Sequence, residues 1–260
     1  MPPPAEPQPA KLEPAKPIPA ASLILLRDGA DGLEVLMIRR HEGLRFAPGA
    51  TVFPGGRIDP DDHGPPALES SATPLDLLPQ RMAAVREAFE ECGLLLTEPP
   101  VEGHGLAALR GPAERPFRDR LRGAGLEPAA HALTPFARWQ TPETVWRRFD
   151  TTFFLARAPE RQEAAVDGGE AVAALWGAPS AILEAEGQGR LSLVFATRMN
   201  LLRLAPCRTV EDALAEAARY QPMVPILPRA VDTPDGPVLR IPAGLGYAPT
   251  EFPAGLVRLG

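Results

Sequence analysis

The stretch AAVREAFEECGLLL, residues 83–96, gathers Glu87, Glu90 and Glu91 within a few positions, with Arg86 ahead of them and Gly93 behind. At about 100° per residue the run divides into two faces. Val85, Phe89 and Cys92 fall with Met82 and Ala88 on one face, and the three glutamates fall on the other. The spacing predicts a helix over 82–92 whose apolar face meets a core. Ala83 lies inside the acidic arc one turn before Glu87, where a small side chain would admit a close approach. Gly93 suits the left-handed position that ends a helix, so Glu90 and Glu91 occupy the last turn, where the helix dipole favours cations. Glu87 and Glu91 are like charges at i,i+4, a cost of a few tenths of a kcal/mol. The dipole adds about 0.3–1 kcal/mol per group. A solvated face avoids both penalties by mixing in lysines. A divalent cation over the face reverses them, and Mg²⁺ takes such carboxylates together with water and substrate phosphates.

Ahead of this helix, ASLILLRDGADGLEVLMIRRHE (21–42) holds two β-type apolar runs separated by Asp and Gly. It predicts a hairpin of strands near 21–27 and 33–40. GLRFAPGATVFPGGRIDPDD (43–62) should be mostly loop around a short strand at 51–53. Residues 60–80 read as a surface excursion, and GLLL leaves the helix toward another strand. Segment 99–135 is rich in Gly, Pro and Arg, with a short helix at 116–122. PFARWQTP (135–142) and RRFDTTFFLARAP (147–159) are strand-like, as is a segment ending at Trp176 that leads into a helix. Further helical patterns follow at 192–204 and 210–220, and a hairpin turns at Thr233–Gly236. Strands and helices mix without regular βαβ alternation, which predicts an α+β fold with helices packed on a mixed sheet.

The chain has 260 residues, is 45% hydrophobic and carries a formal charge of −6. That length supports one large core with appendages. The acidic balance offers no field of the kind that dominates nucleic-acid affinity. Cys92 and Cys207 are the two cysteines, too few for a disulfide framework or a four-cysteine zinc site. Residues 1–19 form a Pro/Ala-rich tail without the apolar core of a secretory signal. No apolar run approaches the ~18 residues of a membrane span. The expectation is a cytoplasmic protein that meets neither membrane nor nucleic acid. Residues 20–260 then form a single domain with insertions near 60–80 and 99–135 and a C-terminal extension.

Gly56, Asp62 and REAFEECGL (86–94) together resemble the Nudix box, G-x5-E-x7-R-E-U-x-E-E-x-G-U, where U is a bulky aliphatic. Arg86, Glu87, Glu90, Glu91, Gly93 and Leu94 fall in register. Ala88 is smaller than the usual aliphatic, Asp62 stands for the early Glu, and the spacer of residues 63–85 is several-fold too long. Together with FPGG and RRFDTTFFLA, the interrupted box resembles the coenzyme A diphosphatases of the peroxisomal type and their bacterial relatives, which also carry an insertion there. The resemblance implies a Nudix-like α/β/α sandwich and Mg²⁺- or Mn²⁺-dependent hydrolysis of a nucleoside diphosphate linked to another group. For coenzyme A the products would be phosphopantetheine and adenosine 3′,5′-bisphosphate. ADP-ribose, dinucleotides and ADP-sugars are the alternative substrates, and a non-catalytic nucleotide-sensing module is the alternative function.

The same resemblance gives Glu87, Glu90 and Glu91 as metal ligands. Glu87 is the chosen general base, and Glu90 and Arg86 complete the catalytic set, Arg86 by orienting the glutamates or the FPGG loop. Gly55 and Gly56 would bring that loop against the helix. Arg39, Arg40, His41 and Arg45 precede the FPGG loop and would bind substrate phosphates or else form a solvated strand edge, with Arg39 and Arg45 the chosen pair. Asp62 belongs either beside the metal or to the excursion. Glu170 has a metal, base or structural role, and Trp139 and Trp146 pack in the core or stack on a base. The expected partner is a small nucleotide, and a homodimer is allowed.

Overall fold

The computed structural model describes residues 14–63, 77–106, 109, 115–166 and 168–259. Most of the expected tail, the middle of the 60–80 excursion and part of the second insertion lie outside these residues. The chain opens with β1 (Ile18–Gly29) and β2 (Gly32–Arg40), followed by the short β3 (Thr51–Val52) and β4 (Gly55–Arg57). Helix α1 (Leu78–Cys92) carries the glutamates. Then come β5 (Thr97–Glu98), α2 (Gly103–Leu106), α3 (Phe117–Gly123), β6 (Glu127–Pro128), β7 (Thr134–Gln140), β8 (Phe149–Arg157) and β9 (Ala171–Gly177). Helices α4 (Pro179–Gly187), α5 (Phe195–Leu204) and α6 (Val210–Ala218) lead to β10 (Pro225–Ile226) and to the small sheet of β11 (Arg229–Thr233), β12 (Gly236–Arg240) and β13 (Glu251–Pro253).

The main sheet is mixed. β1 pairs parallel with β8 and antiparallel with β2, and the order runs β10-β7-β8-β1-β2, with β9 on the far side of β2. Both faces are covered, which explains why the first strands read as continuous apolar runs rather than alternating ones. Leu23, Leu25, Leu36 and Ile38 pack with Val85, Ala88, Phe89 and Cys92 of α1. Their strand neighbours Ile24, Leu26, Val35 and Met37 pack with Ile182, Met199, Leu201, Leu204 and Val210 from the later helices. The result is the expected α/β/α sandwich. Among the described residues no helix is long and apolar enough to cross a membrane.

One irregularity positions everything that follows. β1 and β2 pair at Leu26–Val35 and Gly29–Gly32, and toward the start of β1 they part. TVFPGGR fills the split: Thr51 pairs with Arg39 of β2, and Gly55, Gly56 and Arg57 pair with Ser22, Ala21 and Ala20 of β1. Pro54, which has no N–H to lose, contributes its carbonyl, accepting from Leu23 N–H and Ser22 Oγ–H at 2.9 Å each.

Helix α1 ends as its sequence predicts. Gly93 adopts φ 70° and its N–H donates to Phe89 O at 2.9 Å. One expectation needs correction. Ala83 opens on nothing, because it is fully buried in the core cluster beneath α1. GLLL leads, as expected, into a strand, the short β5, where Thr97 and Glu98 pair with Pro128 and Glu127. Ahead of β5 a side chain takes the place of a strand neighbour: Leu95 N–H donates to Gln162 Oε1 at 2.8 Å, and Gln162 Nε2 donates to Leu95 O at 3.0 Å. Both backbone polar groups of buried Leu95 are thus satisfied without a ladder.

Candidate active site

Arg86 is the hub. Its side chain is nearly buried, and every donor of the guanidinium fork has an acceptor. Nε and Nη2 donate to the two carboxylate oxygens of Asp62 at 3.2 and 3.0 Å, a bidentate pair across the long insertion. Nη2 also donates to Arg57 O at 3.0 Å, which ties α1 to the glycine loop. Nη1 donates to Glu87 Oε1 and to Glu90 Oε2, both at 2.9 Å. Burial works against the charge on Arg86, but Asp62, Glu87 and Glu90 outweigh it and raise its pKa above the usual arginine value. Asp62 is itself 2% exposed and accepts from Asp59 N–H at 2.8 Å. Both its oxygens are thus committed, so it clamps Arg86 rather than offering a free ligand.

The three glutamates have different surroundings. Glu91 is 5% exposed, and its Oε2 accepts from Gly55 N–H at 2.7 Å. Arg40 Nη1 lies 3.8 Å from its other oxygen. Burial first, then the charge of Glu87, pushes the Glu91 carboxyl up to about 8 against the restraint of Gly55 and Arg40. Burial likewise lifts Glu87 to about 7 although Arg86 lowers it, with Glu90 and Glu170 adding to the rise. Glu90 is more exposed and turns to Arg86 and to Arg120 of α3, whose Nη2 is 3.6 Å away. Phe117 of α3 packs on Phe89 with ring centroids 6.1 Å apart, so the second insertion rests on the same helix.

Both glycines of the loop are required by contact. A Cβ on Gly56 would overlap the Glu87 carboxylate, and one on Gly55 would come within 2.7 Å of Ser22 Cα. Beyond the loop opens a cavity of about 680 Å³ at the split in the sheet. Arg86 and the three glutamates line it, with Glu170, Arg40, Arg45, Arg57 and Arg147 and the rings of Phe46, Phe53, Phe149 and Phe153.

Arg39 is not among the lining residues, which corrects its assignment to substrate. Side chains alternate along β2, so Arg40 follows Ile38 onto the α1 face while Arg39 follows Met37 onto the other. Strand parity with Ile38 would have preferred Arg40 to Arg39 among the candidates. Glu170 stands at the cavity, close enough for its charge to act on Glu87 and Glu91. Arg147 and Phe149 stand within RRFDTTFFLA, but nothing in that motif says that they face the cavity, which follows only from β8 lying beside β1. Trp139 is core, its Nε1–H donating to Asn200 Oδ1 at 3.2 Å, whereas Trp146 is 71% exposed. Among the described residues no histidine lines the cavity.

Among the described residues no three histidine, cysteine or carboxylate side chains converge into a complete metal cage. A cage is not what Mg²⁺ needs, since it commonly binds one or two carboxylates plus water and substrate phosphates. Glu87 and Glu91, one turn apart and both driven toward protonation, fit that partial donor set. Glu90 in this structure points at cations of the protein instead.

The fold, the glycine loop and the glutamate helix define a class, and comparison with known proteins agrees. The NUDT19 Nudix domain model matches residues 65–203, and the chain belongs to this family of Nudix hydrolases. The human acyl-coenzyme A diphosphatase NUDT19 is 32% identical over 209 residues, covering 60% of this chain and 56% of that protein. Its Gallus gallus counterpart is 29% identical over 237 residues, covering 63% and 62%. The chain thus spans rather more than half the length of these curated relatives. The crystal structure of a Nudix hydrolase from Alicyclobacillus acidocaldarius, 32% identical, covers 77% of this chain and 96% of its own, with a TM-score of 0.64.

Proposed function

We propose that the chain hydrolyses the diphosphate of coenzyme A or its acyl esters, giving 4′-phosphopantetheine (or its acyl form) and adenosine 3′,5′-bisphosphate, with Mg²⁺ or Mn²⁺. The observation that carries this reading is the Glu87–Glu91 pair, held with raised pKa at the mouth of a cavity that also presents unpaired arginines. The acyl-coenzyme A diphosphatases similar to this chain support the substrate class.

When bound, the metal ion neutralises phosphate oxygens and acidifies a water. Glu87 and Glu91 are the residues that would hold it. Gly55 N–H fixes Glu91 through one oxygen, and Arg86 fixes Glu87 through Oε1. Glu87 Oε2 has no protein donor among the described residues, so it is the atom proposed to take the proton of the attacking water. As the water oxygen bonds to phosphorus, the bridging P–O bond breaks and its electrons leave with the departing phosphate. Arg57, beside the glycine loop, faces the same cavity and would bind the diphosphate. The reading places the reaction in a reducing compartment such as the cytoplasm, in keeping with two free cysteines, one of them buried.

Incubation with Mn²⁺ or Mg²⁺ and a panel of coenzyme A, acyl-coenzyme A, ADP-ribose, NADH and diadenosine polyphosphates tests it. Coenzyme A or an acyl ester should be cut fastest, and Glu91→Gln should abolish turnover. Preference for a substrate lacking the 3′-phosphoadenosine end would overturn the assignment.

A further inference from the structure

The cavity holds more cationic charge than a diphosphate requires. Arg86 has every donor engaged, and Arg40 sits by Glu91. Arg45, Arg57 and Arg147 also line it, and among the described residues no carboxylate pairs with their side chains. Arg57 adjoins Gly56 and therefore the glutamates. Arg147 lies elsewhere, against an aromatic pair whose other ring is the sequence neighbour of Arg45. The Arg147 guanidinium stands 5.3 Å from the centroid of Phe149, and that ring meets Phe46, the neighbour of Arg45, edge-on at 4.9 Å.

The sheet gives the separation. Gly55, which donates to Glu91, pairs with Ser22, and Ser22 pairs with Phe153 of β8. Phe149 is four residues back along that strand, roughly 13 Å at the usual rise. That is a backbone span, and side chains reaching in from both ends shorten it, which leaves room for a second anion set off from the one at the glutamates by about a sugar. An arginine stacked on a ring is weakly hydrated and holds its planar fork ready for bidentate contact with a phosphate.

We propose that Arg147, with Arg45, forms a subsite for a phosphate monoester on the ribose of the substrate, separate from the diphosphate at Glu87 and Glu91. The proposal deepens the coenzyme A reading and rests on it for the identity of that phosphate, the 3′-phosphate. Arg147 then determines specificity: it selects coenzyme A over its 3′-dephospho form and takes no part in bond breaking.

Calorimetric titration of metal-free protein with adenosine 3′,5′-bisphosphate and with AMP tests the subsite without turnover. Wild type should bind the bisphosphate about tenfold more tightly than AMP, as a charge-assisted contact provides. Arg147→Ala should bring the two within about twofold while leaving AMP affinity unchanged, the sign that the variant is folded. Arg147→Lys, which keeps the charge and loses the fork, should fall between. In turnover, Arg147→Ala should raise KM for coenzyme A about tenfold with kcat within about twofold, and leave 3′-dephospho-coenzyme A unaffected. Equal wild-type affinity for the two nucleotides, or equal weakening of both in Arg147→Ala, overturns the subsite. Failure of wild type to cut coenzyme A overturns the proposed reaction instead, and the titration still decides the subsite.

Discussion

At Gly56 the fold leaves no room for a methyl group. Its Cβ would fall on the Glu87 carboxylate, which cannot swing aside freely because Arg86 holds Oε1. Gly56→Ala should therefore displace Glu87 and lower kcat by about 10²-fold, the usual penalty for a misplacement of about 1 Å. Unchanged steady-state kinetics would remove Glu87 from the reaction. Asp62 makes the opposite kind of prediction, one about stability. Breaking a buried ion pair typically costs about 3–5 kcal/mol, but Arg86 would keep Glu87 and Glu90, so Asp62→Ala should cost less, about 2 kcal/mol in a urea melt. At this scale the sequence was partly readable. The carboxylates and Gly55–Gly56 announce themselves by pattern, whereas Arg147 and Phe149 reach the cavity only because β8 runs beside β1.

Helix α1 shows why elements were more legible than contacts. Its apolar stripe and its terminal glycine act locally, so the sequence carries them, whereas its first turn from Leu78, with a proline, lies ahead of the 82–92 that the periodicity predicts. Gly93→Ala should cost about 1 kcal/mol, because φ 70° is unfavourable for any residue with a Cβ. Phe89→Ala should cost about 3–5 kcal/mol in the same denaturation assay, since the ring is 5% exposed and packed against Phe117. A larger effect for Gly93 than for Phe89 would contradict this division between cap and core. Leu94–Leu96 mark the limit of such reading. The leucines lead into β5 as their pattern implies, yet the backbone of Leu95 is paired by Gln162, far along the chain, and no local pattern announces it.

Across the whole molecule, the site stores unfavourable charge that the rest of the sandwich must hold. Glu87 and Glu91 have folded-state pKa values of about 7 and 8, against an ordinary 4.5. Between pH 4.5 and 8 the folded chain therefore holds protons that the unfolded chain has released. Stability contributed by these groups is complete in acid and is lost as pH rises through that window. Metal-free protein should accordingly melt lower at pH 8 than at pH 5, by roughly 5 °C or more for a chain of this size. A divalent cation competes with those protons, so Mn²⁺ should raise Tm more at pH 8 than at pH 5. Glu91→Gln removes the buried charge while keeping its shape. It should raise the metal-free Tm at pH 8, flatten the pH dependence and shrink the Mn²⁺ response. Thermal melts of both proteins at the two pH values, with and without Mn²⁺, decide the matter. If wild type and Glu91→Gln share one pH profile, the opposition of charge and burial at this helix end has no thermodynamic weight, and its link to metal binding falls with it.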